Sequence, residues 1–202
     1  MEAVVQQTRR SLEAERGIVS PTKLAHFVLV TRDMRRLRDW YLTVLQGRVV
    51  YEDPILSFIT YDDEHHRIAI GALPGVEERD AGLRVGLHHT AFTYRDLGAL
   101  LFTYRRLKAQ GIVPFWTINH GPTTSMYYRD PDGNRIELQV DNFAAAEEAN
   151  EFMRVHFAEN PIGILFDPDE LIQRYEAGVP LEELRQRPPL PAGKTPLDMM
   201  RD

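Results

Sequence analysis

The chain contains no cysteine among its 202 residues, and this absence excludes several kinds of protein. Without cysteine there is no disulfide scaffold and no thiol nucleophile. Structural zinc sites are usually closed by cysteine thiolates, so a structural zinc site is not expected either. Any metal bound by this chain must be held by histidine, carboxylate or backbone oxygen.

Long apolar runs and net positive charge are also missing. Hydrophobic residues make up 43% of the chain, which predicts a soluble globular protein with one well-buried domain plus extensions. Residues 1–23 carry scattered charges and no continuous apolar stretch, so we expect neither a signal peptide nor a membrane anchor, and a cytoplasmic location. The formal net charge of −6 argues against nucleic acid as a partner.

The sequence does contain a half-repeat. Residues 24–34 (LAHFVLVTRDM) return, 63 positions later, as residues 87–97 (LHHTAFTYRDL). In each copy an apolar strand pattern with a histidine leads through an Arg-Asp step into a helical pattern, as expected for a duplicated structural unit. In this alignment His26 corresponds to His89, and His88 is expected to point to the opposite face of the strand because side chains alternate.

A second pair of segments extends the repeat. Residues 62–70 (DDEHHRIAI) align with residues 130–138 (DPDGNRIEL), which places Glu137 at the position equivalent to Ala69. The four equivalent positions are therefore His26, Ala69, His89 and Glu137, of which three can bind a metal ion. Two imidazoles and one carboxylate form the set that non-haem Fe(II) oxygenases use, because the remaining coordination positions stay open for substrate and oxygen.

An isolated histidine on a half-buried strand is usually a structural residue. Here two histidines at equivalent positions and a glutamate flanked by apolar residues would place three costly polar groups in one core. Shared coordination of a cation offsets that cost. The sequence therefore predicts His26, His89 and Glu137 as metal ligands.

The organisation that follows is an α+β fold of paired βαβββ modules that form a curved mixed sheet. The first module spans residues 22–73, with its first strand over 23–30 and its helix over 34–45; the second spans 86–141, with its first strand over 87–93 and its helix over 97–110. Residues 1–21 are predicted to form an N-terminal helical arm and residues 144–202 a C-terminal helical extension, flanking a domain over residues 22–143. The apolar residues of the extension favour packing on the core or on a second subunit, which leaves a homodimer open.

Two motifs in the second module resemble a known family. Residues 87–92 (LHHTAF) and 127–137 (YYRDPDGNRIE) are similar to motifs of the vicinal oxygen chelate superfamily, which includes glyoxalase I, fosfomycin-resistance enzymes and extradiol dioxygenases. They look most like those of single-domain type I extradiol catechol dioxygenases. The resemblance implies ring cleavage of a catechol-type substrate by O₂ at an Fe(II) centre, and Mn(II) accepts the same ligands.

The resemblance also implies two residues at the substrate. His120 and Tyr127 match positions at which the extradiol enzymes carry an acid/base histidine and a tyrosine that hydrogen-bonds the substrate. The alternatives are an exposed loop histidine and a packing tyrosine. A further histidine found in two-domain members would fall near Pro74 and is absent, which leaves a different substrate or a modified mechanism open. Phe115 and Trp116 are compatible with either an aromatic-binding pocket or the core.

Three other functions remain to be compared with the dioxygenase. A glyoxalase-type isomerase needs a fourth protein ligand where this chain has Ala69, and alanine supplies neither a lone pair nor a base. A fosfomycin-type transferase uses the same three ligand types but is usually a shorter chain. A bleomycin-binding type of resistance protein generally lacks the metal ligands altogether. His65, His66 and His156 are interpreted as surface residues.

Overall fold

The computed structural model describes residues 19–77 and 85–201. The predicted N-terminal arm lies almost entirely outside these residues, as does the middle of the linker between the two modules. No helix in the described part of the chain is long and apolar enough to cross a bilayer.

The first module has the predicted βαβββ order. Its elements are β1 (Phe27–Val30), α1 (Met34–Leu45), β2 (Arg48–Glu52), β3 (Leu56–Thr60) and β4 (Ile68–Gly71). The strands form one sheet in the order β1-β4-β3-β2, in which β1 and β4 are parallel and the other pairs antiparallel.

The second module repeats this plan in a sheet of its own. Its elements are β5 (Thr90–Thr93), α2 (Leu97–Lys108), β6 (Trp116–Asn119), β7 (Thr123–Arg129) and β8 (Arg135–Asp141). Their order is β5-β8-β7-β6, again with the first and last strands of the module paired in parallel. The prediction of paired βαβββ modules is therefore confirmed.

The register of the two parallel pairs confirms the alignment of the repeat. Val28 lies opposite Ala69 in the first sheet, and Ala91 lies opposite Glu137 in the second. The pairing of β1 with β4 and that of β5 with β8 each contain four residue pairs. Strands β1 and β5 are therefore shorter than the predicted strands 23–30 and 87–93. As a result His26 and His89 stand immediately before β1 and β5 rather than inside them.

The Arg-Asp step of the half-repeat is the start of each helix. The Asp33 carboxylate accepts a hydrogen bond from the backbone N–H of Arg36 at 3.1 Å, and that of Asp96 accepts one from Ala99 at 2.8 Å. Such caps satisfy backbone N–H groups that have no partner within the helix. The two aspartates therefore explain why α1 and α2 begin where the sequence predicts.

A shared core joins the modules. The buried faces of α1 and α2 and the inner faces of both sheets contribute to it, with Leu37, Tyr41, Leu100 and Leu107 among its least exposed members. Across the modules, the Tyr41 hydroxyl donates to the Asp130 carboxylate at 3.1 Å. Asp130 also caps the predicted turn between β7 and β8 by accepting the backbone N–H of Asn134 at 2.8 Å.

The C-terminal extension contains both helices and a strand. Its elements are α3 (Ala146–His156), β9 (Ile164–Leu165), α4 (Pro168–Glu176), α5 (Leu181–Arg185) and a 3₁₀ helix, Pro196–Met199. Strand β9 pairs antiparallel with β6 and so extends the second sheet. Leu171, Ile172 and Leu184 bury their side chains in the shared core. The extension therefore packs on the second module of its own chain.

Gly163, just before β9, allows the extension to approach that module closely. Its φ is +122°, and an added Cβ would lie 2.4 Å from the Asn119 carbonyl oxygen and 2.9 Å from the His120 Cα. Gly163→Ala is expected to lower the free energy of unfolding by about 2 to 4 kcal/mol, because it adds backbone strain to a steric clash. Urea denaturation measures the change.

Gly178→Ala is the matched control for this prediction. Gly178 also has a positive φ, +79°, but an added Cβ would meet no atom within 4 Å. Gly178→Ala should lower the free energy of unfolding by only about 1 kcal/mol, which is the cost of placing alanine in the left-handed conformation. If Gly163→Ala and Gly178→Ala lowered the free energy of unfolding equally, the close backbone contact at Gly163 would not contribute to the effect of the substitution.

Candidate functional site

His89 and Glu137 form a pair on one face of the second sheet. Glu137 on β8 lies opposite Ala91 on β5, and His89 precedes Ala91 by two residues, so both side chains lie on the same face. His89 Nε2 is 3.1 Å from Glu137 Oε2. Two of the three predicted metal ligands are thus brought together by the parallel pairing of β5 and β8.

Glu137 is a buried charge. The residue is 4% exposed. Burial by itself would raise the pKa of the Glu137 carboxyl, but hydrogen bonds with His89 and Ser125 hold it below its usual value. The carboxylate is therefore ionised and available to a cation, at the cost of desolvation that a cation would offset.

His26 stands at the equivalent place in the first module but in different surroundings. Its side chain is exposed, and its ring packs against that of His66 with 4.4 Å between ring centroids. The His66 ring in turn stacks on Phe58 at 4.8 Å. His26 is thus not a histidine satisfied within the core. The surface interpretation holds for His65 and His156, whereas His66 is partly buried.

Within residues 19–77 and 85–201, no three histidine, aspartate or glutamate side chains lie close enough together to hold a cation between them. The structure brings His89 and Glu137 together and leaves His26 against His66. Ala69 is a buried residue of β4 that lies opposite Val28 of β1, and its side chain has no atom that could bind a metal at the position where an isomerase would need a ligand.

His120 and Tyr127 form a second pair beside the first. His120 Nε2 is 3.0 Å from the Tyr127 hydroxyl, and the Tyr127 ring meets that of His89 edge-on at 5.3 Å. Burial lowers the pKa of His120, so its ring is neutral near pH 7. Burial and the neighbouring Glu137 raise the pKa of the Tyr127 phenol, so its hydroxyl stays protonated. The pair therefore combines a neutral imidazole with a hydrogen-bond donor.

His88 and Trp116 are accounted for by structural contacts. His88 Nε2 is 2.7 Å from Arg135 Nη1, and His88 Nδ1 is 2.7 Å from His89 Nδ1. Trp116 is buried, stacks on Tyr127 with 4.6 Å between ring centroids, and donates its indole N–H to the Met199 carbonyl at 2.8 Å. Of the two interpretations of Trp116, the structure supports the core.

The sequence did not indicate that the C-terminal extension reaches the site. The Ile162 carbonyl lies within hydrogen-bond distance of His120 Nδ1, and Arg187 Nη1 donates to the His120 carbonyl at 3.1 Å. One contact uses a backbone oxygen and the other an arginine in a proline-rich tail. Neither has a sequence pattern from which the contact could be inferred.

Comparison with a protein-family model covers both modules. The model described as the Glyoxalase/Bleomycin resistance protein/Dioxygenase superfamily matches residues 23–138. A crystal structure of a glyoxylase/bleomycin resistance protein/dioxygenase domain from Frankia sp. EAN1pec is 21% identical, with a TM-score of 0.51 over 60% of this chain and 99% of that one. At this identity the likeness concerns the fold.

Two proteins from Rhodococcus globerulus are similar over most of the chain. Biphenyl-2,3-diol 1,2-dioxygenase 2 is 49% identical over 164 residues, covering 80% of this chain and 86% of that protein. Biphenyl-2,3-diol 1,2-dioxygenase 3 is 48% identical over 168 residues, covering 82% and 88% respectively. In both names the cleaved 1,2 bond lies beside the 2,3-diol, which is extradiol cleavage. This chain accordingly belongs to the Glyoxalase/Bleomycin resistance protein/Dioxygenase superfamily, as one of its extradiol ring-cleaving dioxygenases.

Proposed function

We propose that the enzyme cleaves a catechol that carries an aryl substituent next to the diol, of the biphenyl-2,3-diol class, using a non-haem Fe(II). The proposal rests on the similarity to the two Rhodococcus globerulus enzymes, which extends over four-fifths of this chain. It also rests on the buried, ionised Glu137 beside His89, since this pair is the part of the site that can bind a cation.

The donor types of the three predicted ligands, two imidazoles and one carboxylate, suit a divalent ion such as Fe(II). An ionised carboxylate and an imidazole meet at 3.1 Å, and the equivalent imidazole of the first module is exposed rather than hydrogen-bonded in the core. We assign Glu137, His89 and His26 as the metal ligands. These three residues would leave coordination positions of a bound metal ion open, which the two vicinal oxygens of the substrate and O₂ could occupy. Mn(II) accepts the same three donors.

His120 and Tyr127 act on the substrate in this proposal. The Ile162 carbonyl accepts only a proton-bearing nitrogen, so His120 carries its proton on Nδ1 and presents the Nε2 lone pair. Nε2 is therefore the atom that takes a proton from a catechol hydroxyl and returns it to the product. In the structure the protonated Tyr127 hydroxyl donates to this Nε2 at 3.0 Å. With substrate bound, the hydroxyl would donate to a substrate oxygen instead, which frees Nε2 for the proton transfer.

A substrate panel tests the proposal. Protein purified without oxygen and supplied with Fe(II) is expected to form a yellow ring-cleavage product. We expect kcat/KM for biphenyl-2,3-diol to exceed that for unsubstituted catechol by about tenfold or more, because burying a phenyl ring contributes at least as much as small apolar groups do in specificity pockets. A preference for unsubstituted catechol would contradict the assigned substrate class.

Metal removal gives the second half of this test. A chelator is expected to abolish product formation, and addition of Fe(II) alone should restore it, with metal analysis reporting the bound ion. His89→Ala serves as the control that removes one donor. Restoration by Mn(II) and not by Fe(II) would contradict the assigned metal.

A further inference from the structure

The C-terminal extension contacts His120 from the side opposite Tyr127. The His120 ring has Tyr127 on Nε2 and the Ile162 carbonyl on Nδ1. Ile162 lies 42 residues further along the chain, in the segment between α3 and β9. Since a carbonyl oxygen can only accept a hydrogen bond, the position of this segment decides which nitrogen of His120 carries the proton.

The segment is built to hold that carbonyl in place. Asn160 is 3% exposed, and its side-chain oxygen accepts the backbone N–H groups of Ile162 at 3.0 Å and Gly163 at 2.9 Å. Its side-chain amide donates to the Gly163 carbonyl at 3.0 Å. These bonds make residues 160–163 a compact turn, so an interaction that fixes Asn160 also fixes the position of the Ile162 carbonyl.

Arg187 joins this turn to His120. Its Nη1 donates both to the Asn160 carbonyl at 2.8 Å and to the His120 carbonyl at 3.1 Å. The guanidinium lies over the Phe152 ring at 4.9 Å, and the same ring packs so tightly on Gly121 that a Cβ there would be 2.0 Å from it. One side chain thus holds the turn, the backbone of His120 and the neighbouring helix α3 together.

We propose that Arg187 is a positioning residue of the active site, which holds the turn 160–163 against His120 so that the Ile162 carbonyl keeps the proton on Nδ1 and the Nε2 lone pair faces Tyr127 and the substrate. This inference extends the proposed function, because it assigns to the C-terminal extension the control of the histidine that exchanges a proton there. Arg187 itself contacts neither substrate nor reacting atoms.

The tautomer of His120 is the direct test, and it does not depend on activity. Long-range ¹H–¹⁵N spectra of the metal-free protein, labelled at histidine, distinguish a protonated Nδ1 from a protonated Nε2. The wild type is expected to show His120 with the proton on Nδ1. Arg187→Met should give a mixture of tautomers, and Arg187→Lys should restore most of the wild-type signal because lysine can still donate to one of the two carbonyls.

Kinetics provide the second readout. Arg187→Met is expected to lower kcat by about 10- to 100-fold with little change in KM, because a displaced catalytic group costs rate more than binding. In a His120→Ala background the same substitution should change kcat by less than about twofold, since residues that act as one unit are not additive. If Arg187 merely supported the fold, Arg187→Met would lower kcat by the same factor in the wild-type and His120→Ala backgrounds.

Arg154→Met is the matched control. Arg154 is an exposed arginine of α3 whose guanidinium pairs with Glu151 on the same helix. This variant should match the wild type in tautomer, kcat and melting temperature. Melting curves of Arg187→Met report separately whether the extension has come loose.

The outcomes separate this inference from the proposed function. An unchanged His120 tautomer in Arg187→Met, or an equal loss of kcat with and without His120, would overturn the role of Arg187 while leaving ring cleavage intact. If instead the wild type cleaves no aryl catechol but the tautomer of His120 still depends on Arg187, the positioning role of Arg187 is supported and the proposed substrate class is contradicted.

Discussion

Glu137→Gln is expected to reduce both bound Fe(II) and ring cleavage by at least about 100-fold, the upper range for losing a residue that only orients a metal ligand. Glutamine keeps the shape of the side chain but removes its charge. In the wild type that charge is buried, held ionised, and 3.1 Å from His89 Nε2. A neutral amide would leave His26 and His89 as the remaining donors of the assigned set.

The measurement is metal content and kcat/KM on the same preparation. Because the amide fits the space of the carboxylate, the melting temperature of the metal-free variant should stay near that of the metal-free wild type. Glu147→Gln, on the exposed first turn of α3, is the matched control and should bind metal normally. Full metal content in Glu137→Gln would remove Glu137 from the ligand set.

His120→Gln is expected to lower kcat by about 10² to 10⁴, the range that a positioned acid/base group contributes, with metal content unchanged. Glutamine can still fill the space between Ile162 and Tyr127 but cannot exchange a proton. A loss of bound metal in this variant, or a kcat within a factor of a few of the wild type, would contradict the assigned role.

The pH dependence of kcat/KM in the wild type tests the same acid/base role of His120. Burial lowers the pKa of His120 from the ordinary value of 6.5. The unprotonated ring is the active form, so kcat/KM should be at its plateau at pH 7 and fall as the pH drops through a pKa below 6.5. This acid limb should be absent from the profile of His120→Gln. Its persistence there would assign the limb to another group.

Much of the fold follows from local patterns. The half-repeat places Ala69 and Glu137 at equivalent positions, and the strand registers agree. Helix α1 begins and ends at the predicted residues because an aspartate cap stands at one end and a left-handed Gln46 followed by Gly47 at the other. Such signals lie within a few residues of the structure that they specify, so a sequence reading can find them.

The proximity of His89 to Glu137 and of His120 to Tyr127 was also foreseeable. Each pair lies within a single module whose strand pairing follows from the repeat, and strand alternation then decides which side chains share a face. The sequence also carried the family resemblance that the relatives confirm.

Contacts through backbone oxygen or between distant segments were decided only by the tertiary structure. The sequence repeat determined the paired modules and the candidate ligands, and the family resemblance of two motifs indicated the class of enzyme. The docking of β9 on β6, the Ile162 carbonyl on His120 and the reach of Arg187 across 67 residues depend on how the extension folds back on its own chain. Every residue has a carbonyl, and an arginine in an irregular tail has no periodicity, so no local pattern distinguishes the atoms that meet at His120 from those that do not.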